Sequence, residues 1–438
     1  MVSVMILLYQ IGLALVMILA SPLLLFSSRA RFGFSQKMGF IPQTVKEQLS
    51  KIRSSTKKPL WIHAVSVGEF NAVLPLLKKL RQELPDLPLF VTTTTGTGQA
   101  MAKEKAGQFA TIAYFPYDLP GSIEAWLDTV NPAAFMLVET EIWPGFVHAC
   151  KKRKIPVMSV NARMSPKSYK SYFNLRFFFK SVLSQFAFIG VQSKSEAERF
   201  ASVQGSDKNI EILGNIKLDG LTGDATKSSG TLSNYLKGDT NDFFFTAGST
   251  HEGEEIIVLE TLKHLIENKS ESSPVPRLVI APRHPERFEH VRNLIKDAGF
   301  NPKSFSKEEK LEENDHVFLL DTLGKLMESY SLSQLAFVGG TLVNIGGHNV
   351  AEPFAFKVPV VCGPYIQKTR DLANALSEID ALTIASNSDE FKTQVKYLYD
   401  HKEEAMRKGN LGKNWINQNL GACDRALSAI KKVLANES

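Results

Sequence analysis

The feature that most limits what this chain can fold into is a rhythm of short apolar runs set between segments of helical periodicity. The runs fall at 60–65, 89–93, 134–138, 156–160, 186–191 and 210–213, and resume at 243–248, 277–281, 316–320, 335–338, 359–362 and 382–385. They are too short for helices and do not alternate with polar residues. Strands buried on both faces read this way, which is the condition of a parallel sheet covered by helices. Between the two sets, 221–242 turns rich in Gly, Ser, Thr and Asp and loses apolar periodicity. The pattern predicts an α/β protein of two Rossmann-like, doubly wound domains, 29–220 and 243–438, joined by a linker at 221–242. Such domains bind ligands at the carboxyl ends of their strands, here in a cleft between the two. Residues 411–436 are expected to form C-terminal helices that pack back on the first domain.

The first 28 residues carry no charge, and 5–26 are almost wholly apolar. Arg29, Arg31 and Lys37 follow, and no basic region precedes the apolar run. This order predicts a retained membrane anchor at 1–28 with the body of the protein on the cytoplasmic side, rather than a cleaved signal. Pro22 interrupts the run, so it reads either as crossing the bilayer or as lying in it. The net charge of +6 is mild and suits an anionic surface or a phosphorylated substrate. Cys150, Cys362 and Cys423 are widely spaced and read as reduced core residues. The basic run 151–154 and the Phe-rich segment 173–188 read either as ordinary solvated and core faces or as membrane contacts.

The densest chemical signal is Gly339-Gly340-Thr341-Leu342-Val343-Asn344-Ile345-Gly346-Gly347-His348-Asn349-Val350-Ala351-Glu352, directly after the run 335–338. Its glycines permit a sharp turn and close approach to a ligand. Asn349 is a good helix N-cap, Glu352 completes a capping box or meets ribose hydroxyls, and a helix N-terminus there would attract phosphate. The bland alternative is a tight capped turn.

Other strand ends carry further candidates. Ser66-Val67-Gly68-Glu69 places a carboxylate where a helix begins, as a capping group or as a general base. Glu139-Thr140-Glu141 sets two acids at a strand's carboxyl edge. Asn161-Ala162-Arg163 brings a guanidinium suited to carboxylate or phosphate, toward either donor or acceptor. Lys217 follows the last run of the first half. In the second half, Ser249 and Thr250, Pro282 and Arg283, and Leu323-Gly324-Lys325 each follow a strand. Gly96-Thr97-Gly98 lacks the third glycine of a dinucleotide fingerprint, and no P-loop, hydrolase elbow, zinc motif or Asp-x-Asp pair is present.

In this order the segments resemble the Kdo transferases (3-deoxy-D-manno-octulosonic acid transferases), GT-B-fold glycosyltransferases of lipopolysaccharide synthesis. The likeness runs from near Phe34 to near Leu427. It implies that Glu69 accepts the proton, that Glu139 and Lys217 stabilise the transition state, and that Ser66, Gly68, Arg163, Ser249, Thr250 and His348 meet substrate. It further implies that CMP is held by Pro282, Arg283, Leu323, Gly324, Lys325, Asn349, Val350, Ala351 and Glu352. The family more often has an acid where Lys325 stands, so only a backbone role carries over there. The resemblance implies inverting, metal-independent transfer without a cofactor, from CMP-Kdo to a lipid A precursor (lipid IVA) at the inner face of a bacterial inner membrane, with no nucleic-acid partner. Two other readings keep the fold: a sugar-nucleotide epimerase, and a membrane-tethered nucleotide-binding module without catalysis.

Overall fold

A computed structural model describes residues 2–26, 32–53, 57–139, 141–221, 230–236 and 242–435. The chain forms two compact units: the first takes residues up to Gly220 together with 420–438, the second Leu221–Asn419.

The first unit holds a seven-stranded parallel sheet of order β3-β2-β1-β4-β5-β6-β7. Its strands are β1 (Leu60–His63), β2 (Leu89–Thr93), β3 (Ala110–Tyr114), β4 (Ala134–Val138), β5 (Val157–Ala162), β6 (Phe186–Val191) and β7 (Ile210–Ile212). Leu60 pairs with Leu89 on one side and Ala134 on the other. The four central strands are buried along their whole length, so they read as runs and not as alternation. One core layer is aromatic: Trp61 meets Phe90, Phe135 and Phe146 edge-on, and its indole N–H donates to Thr92 Oγ1 at 2.9 Å. The opposite layer is closed by helix Ala422–Ala435, whose Ala426, Leu427 and Ile430 join Leu76, Leu77 and Leu80 in one cluster. The Asp219 carboxylate accepts the backbone N–H of Gly421 at 2.9 Å and that of Cys423, fixing where this helix starts.

The second unit repeats the plan with order β10-β11-β9-β8-β12-β13-β14, again all parallel. Its strands are β8 (Asp242–Thr250), β9 (Val275–Pro282), β10 (Pro302–Ser304), β11 (Val317–Leu319), β12 (Leu335–Val338), β13 (Val360–Cys362) and β14 (Leu382–Ile384). Residues 222–229 and 237–241 of the expected linker lie outside the described residues, but Leu232 and Leu236 are buried against Phe318 and Leu320 of this unit. Strand order reverses between β1 and β4 in the first unit and between β8 and β12 in the second. In sheets of this kind ligands collect at that reversal, beyond the strands' carboxyl ends.

The apolar N-terminal segment does form a helix, Val2–Phe26, docked on the first unit. Ile6 is buried, Tyr9 packs against Phe178, and Gln10 donates to the Asp118 carbonyl at 3.4 Å. Leu7, Leu8, Ile11, Leu15, Val16, Ile18 and Leu19 are exposed. Among the described residues no helix is long and apolar enough to cross a membrane. The membrane anchor expected at 1–28 is therefore not shown. Arg29 and Arg31 lie outside the described residues. Lys37 is buried, 5.2 Å from the Tyr114 ring centroid, with its pKa lowered by desolvation, so it is not a free surface charge. The three cysteines are free and buried.

Candidate functional site

The first unit's reversal point brings together Ser66, Glu69, Glu139, Glu141, Arg163 and Lys217 of the residues singled out above. Ser66 caps helix Val67–Glu83, its Oγ accepting the Glu69 N–H at 3.4 Å. The Glu69 carboxylate reaches back to accept the Val65 N–H at 2.7 Å. This is a capping box displaced by one residue, and it holds the carboxylate at the helix start. Gly98, in the helix Gly96–Ala106, lies against this turn: a Cβ there would come 2.8 Å from Oγ1 of the helix's cap, Thr95, and 3.4 Å from the Ser66 carbonyl carbon. Gly68 is less constrained, since a Cβ would meet only Ser66 Oγ at 3.7 Å.

Glu139 follows β4 with φ 62°, in the left-handed region that few side chains tolerate. Strain of this kind costs roughly 1–3 kcal/mol and persists only where surrounding contacts impose it. Those contacts are polar here. Lys217 Nζ lies 2.6 Å from Glu139 Oε1, Arg163 Nε 3.7 Å from Oε2, and Asn161 Nδ2 donates to Oε1 at 3.4 Å. Asn161 itself has φ 55° and sits where the β5–β6 register slips between Ser159 and Ala162. That bulge re-aims its side chain, whose Oδ1 also accepts the Ile216 N–H at 3.1 Å, one residue before Lys217. The spacing of Asn-Ala-Arg pointed to Arg163; the structure gives Asn161 at least as large a part. Thr140, between the two acids, lies outside the described residues.

Burial pushes the Glu69 carboxyl up to about 8; the nearby Glu139 and Glu141 add to this, while the Val65 N–H and Lys217 oppose it. Desolvation also raises Glu141. The result is a carboxylate poised to gain or lose a proton near neutrality, which is what general-base chemistry requires. His63 plays another part. It is fully buried, stacked 3.8 Å from Phe115, with Nδ1 3.1 Å from the Thr92 carbonyl, and desolvation pushes its pKa down to about 3.

In the second unit a parallel bulge at Ser249 (φ 56°) shifts the β8–β9 register between Gly248 and Thr250. The Thr250 carbonyl accepts the Arg283 N–H at 3.0 Å, joining the ends of those two strands. Glycine is required at 339, where a Cβ would overlap the Ser249 carbonyl oxygen, and at 340, which has φ 72°.

The glycine turn differs from expectation in two respects. The N–H groups of Gly340, Thr341 and Leu342 are already occupied by the Glu254 carboxylate at 2.8, 3.0 and 3.0 Å. They are not a vacant phosphate cradle. Nor does Asn349 cap a long helix. Its Oδ1 accepts the Ala351 N–H at 3.2 Å within a turn, and only a four-residue 3-10 helix, Pro353–Phe356, follows. Val350 and Ala351 are fully buried. Asn349 Nδ2 donates to Glu352 at 3.4 Å; burial pushes the Glu352 carboxyl up to about 7, against the pull of Asn349 and Arg283.

Pro282 is buried, Arg283 exposed. Leu323 is 63% exposed and Gly324 turns with φ 85°. Lys325 Nζ is engaged by Glu328 at 2.9 Å and Thr231 at 2.6 Å. His348 Nε2 lies 2.8 Å from His251 Nε2. Among the described residues, no three His, Cys, Asp or Glu side chains are grouped to hold a metal ion. A cavity of about 940 Å³ bounded by Lys57, Lys58, Asn131 and Ile155 lies at the amino ends of β1, β4 and β5, the edge away from this chemistry.

A family model described as 3-deoxy-D-manno-octulosonic-acid transferase (kdotransferase) matches residues 29–220. The chain is 36% identical to the 3-deoxy-D-manno-octulosonic acid transferase of Haemophilus influenzae, over 86% of this chain and 87% of that one. It is 32% identical to the Aquifex aeolicus protein of the same name, over 80% and 88%. Among solved structures it is similar to the UDP-GlcNAc 2-epimerase of Neisseria meningitidis, with TM-score 0.60 over 86% of this chain and 100% of that one. At 14% identity the last likeness concerns the fold alone. Two parallel α/β units, with a buried carboxylate and a lysine–glutamate pair at one reversal point, thus belong to a chain whose relatives share a third of its residues over most of its length: the protein is a member of the 3-deoxy-D-manno-octulosonic acid transferase family of glycosyltransferases.

Proposed function

We propose that the protein transfers Kdo from CMP-Kdo to a lipid A precursor with inversion at the anomeric carbon. The observation that carries this reading is Glu69, a helix-capping carboxylate whose proton affinity is raised to about 8 beside the Glu139–Lys217 pair. Glu69 takes the proton of an acceptor hydroxyl as its oxygen forms the new bond to the anomeric carbon. The bond from that carbon to the phosphate oxygen breaks, and CMP leaves with the electron pair. Lys217, fixed by Glu139, balances negative charge in the transition state. Arg163, Ser66 and Gly68 border the reacting groups. In the second unit, Pro282, Arg283, the backbone at 323–325 and the turn 349–352 hold the nucleotide, with Ser249, Thr250 and His348 beside it.

The exposed apolar face of helix Val2–Phe26, with Leu175 and Phe177, supports a position on the inner leaflet where a lipid acceptor resides. The direct test is incubation of the purified protein with CMP-Kdo and lipid IVA in detergent, read by mass spectrometry. Mass increments of one or more Kdo residues, persisting in EDTA, are expected. Conversion of a UDP-sugar without any lipid product would favour an epimerase. CMP binding with no product of either kind would leave a binding module.

A further inference from the structure

Beside the nucleotide loops the second unit holds a feature that nucleotide binding alone does not require. His251 follows β8 and His348 follows the glycine turn after β12. Their ring planes are 5° from parallel and the centroids 5.1 Å apart, with Nε2 to Nε2 at 2.8 Å. A bond between two imidazole nitrogens needs one N–H and one lone pair, so the pair carries at most one charge. Its surroundings are cationic. The His284 ring is 5.4 Å from His251, and Arg283, Lys368 and His284 act on both rings, with Arg287 acting on His251.

The acidic groups packed nearby have other partners. Glu254 takes the N–H groups of His251 and of the glycine turn, Glu255 pairs with Arg287 at 2.6 Å, and Glu352 takes Asn349. Glu286 lies 3.9 Å from His284, not from the pair. Gly340 lies against the pair: a Cβ there would sit 3.3 Å from Ile345 Cγ2 and 3.4 and 3.5 Å from the Cδ2 atoms of His348 and His251.

We propose that the His251–His348 pair is a proton-linked seat for one oxyanion of the donor. Empty, the rings are neutral and bonded to each other. When the oxyanion arrives, the pair takes one proton from solvent, the mutual bond opens, and Nε2–H groups are donated to the anion. This rests on the second unit being the donor side. Desolvation and the neighbouring cations hold His251 down at about 4 and His348 at about 3 in the empty site, and an anion reverses the second influence. The donor offers two oxyanions, phosphate and sugar carboxylate.

The test is calorimetry of the full-length protein with CMP at pH 6.5, in two buffers of different ionisation enthalpy. Uptake of roughly one proton per CMP is expected, falling as pH rises, and none with cytidine. Uptake that appears only when free Kdo accompanies CMP places the carboxylate in the seat instead. His251→Asn and His348→Asn should each abolish uptake and weaken CMP binding about tenfold, leaving cytidine binding unchanged. CMP bound without proton uptake, with or without Kdo, overturns the seat alone. So does uptake that survives in both variants. A protein that binds neither CMP nor cytidine overturns the donor-side assignment on which the seat rests.

Discussion

Glu69 is expensive to keep ionised where it sits, because burial disfavours its charged form. Its pKa near 8 exceeds the ordinary carboxylate value of 4.5, so the folded protein holds this proton more tightly than the unfolded chain. Folding therefore loses stability as pH rises from about 4.5 toward 8. Glu69→Gln removes the titration. It should raise the thermal midpoint relative to wild type at pH 8–9 and leave the difference small near pH 4, which scanning calorimetry can check. Activity runs the other way, because only the deprotonated form accepts a proton. The pH profile of kcat/KM should rise with an apparent pKa near 8 in the wild type. Lys217→Met strips a partly buried, backbone-strained Glu139 of its closest cation. We expect a loss of about 10²–10³ in kcat, with CMP affinity unchanged. A fall in affinity without a fall in kcat would move Lys217 out of the reaction.

At the scale of elements, a loop at the strand ends of each unit is held by a side chain from elsewhere in the chain, and each unit has one strand that ends in a bulge, β5 in the first and β8 in the second. The holding side chain is Asn161 in the first unit and Glu254 in the second. Glu254→Ala leaves three turn N–H groups without their acceptor. It should cost roughly 3 kcal/mol of stability and abolish CMP binding together, measured by denaturant unfolding and calorimetry. These holding residues mark the limit of what the sequence discloses. The glycine density of 339–347 announces a turn, because φ near +72° at Gly340 admits little else. The group that fills the turn's amides lies 86 residues away, and no local pattern points to it. Strands follow the same logic. Those buried on both faces were legible as apolar runs. β3 and β10 escaped: one carries Thr111 and Tyr114 within five residues, and the other is only Pro-Lys-Ser.

At the scale of the whole molecule, the same plan occurs twice, each copy with its own reversal point. The last helix, Ala422–Ala435, belongs to the first unit's core. A chain ending at Asn419 should therefore lose stability in the first unit and retain CMP binding by the second, seen as one lowered and one unchanged thermal transition. The doubly wound layout was readable because buried parallel strands and amphipathic helices differ in period. The chemistry was readable only through motifs, since a capped helix start looks the same with or without a substrate. The central claim is that Glu69 is the base and that donor binding resides elsewhere in the chain. The most direct measurement is single-turnover transfer from CMP-Kdo to lipid IVA by Glu69→Gln, with CMP affinity measured on the same preparation. Transfer reduced about 10³-fold at unchanged CMP affinity is the predicted result. Transfer at the wild-type rate, or a loss of activity matched by a loss of CMP binding, would contradict it.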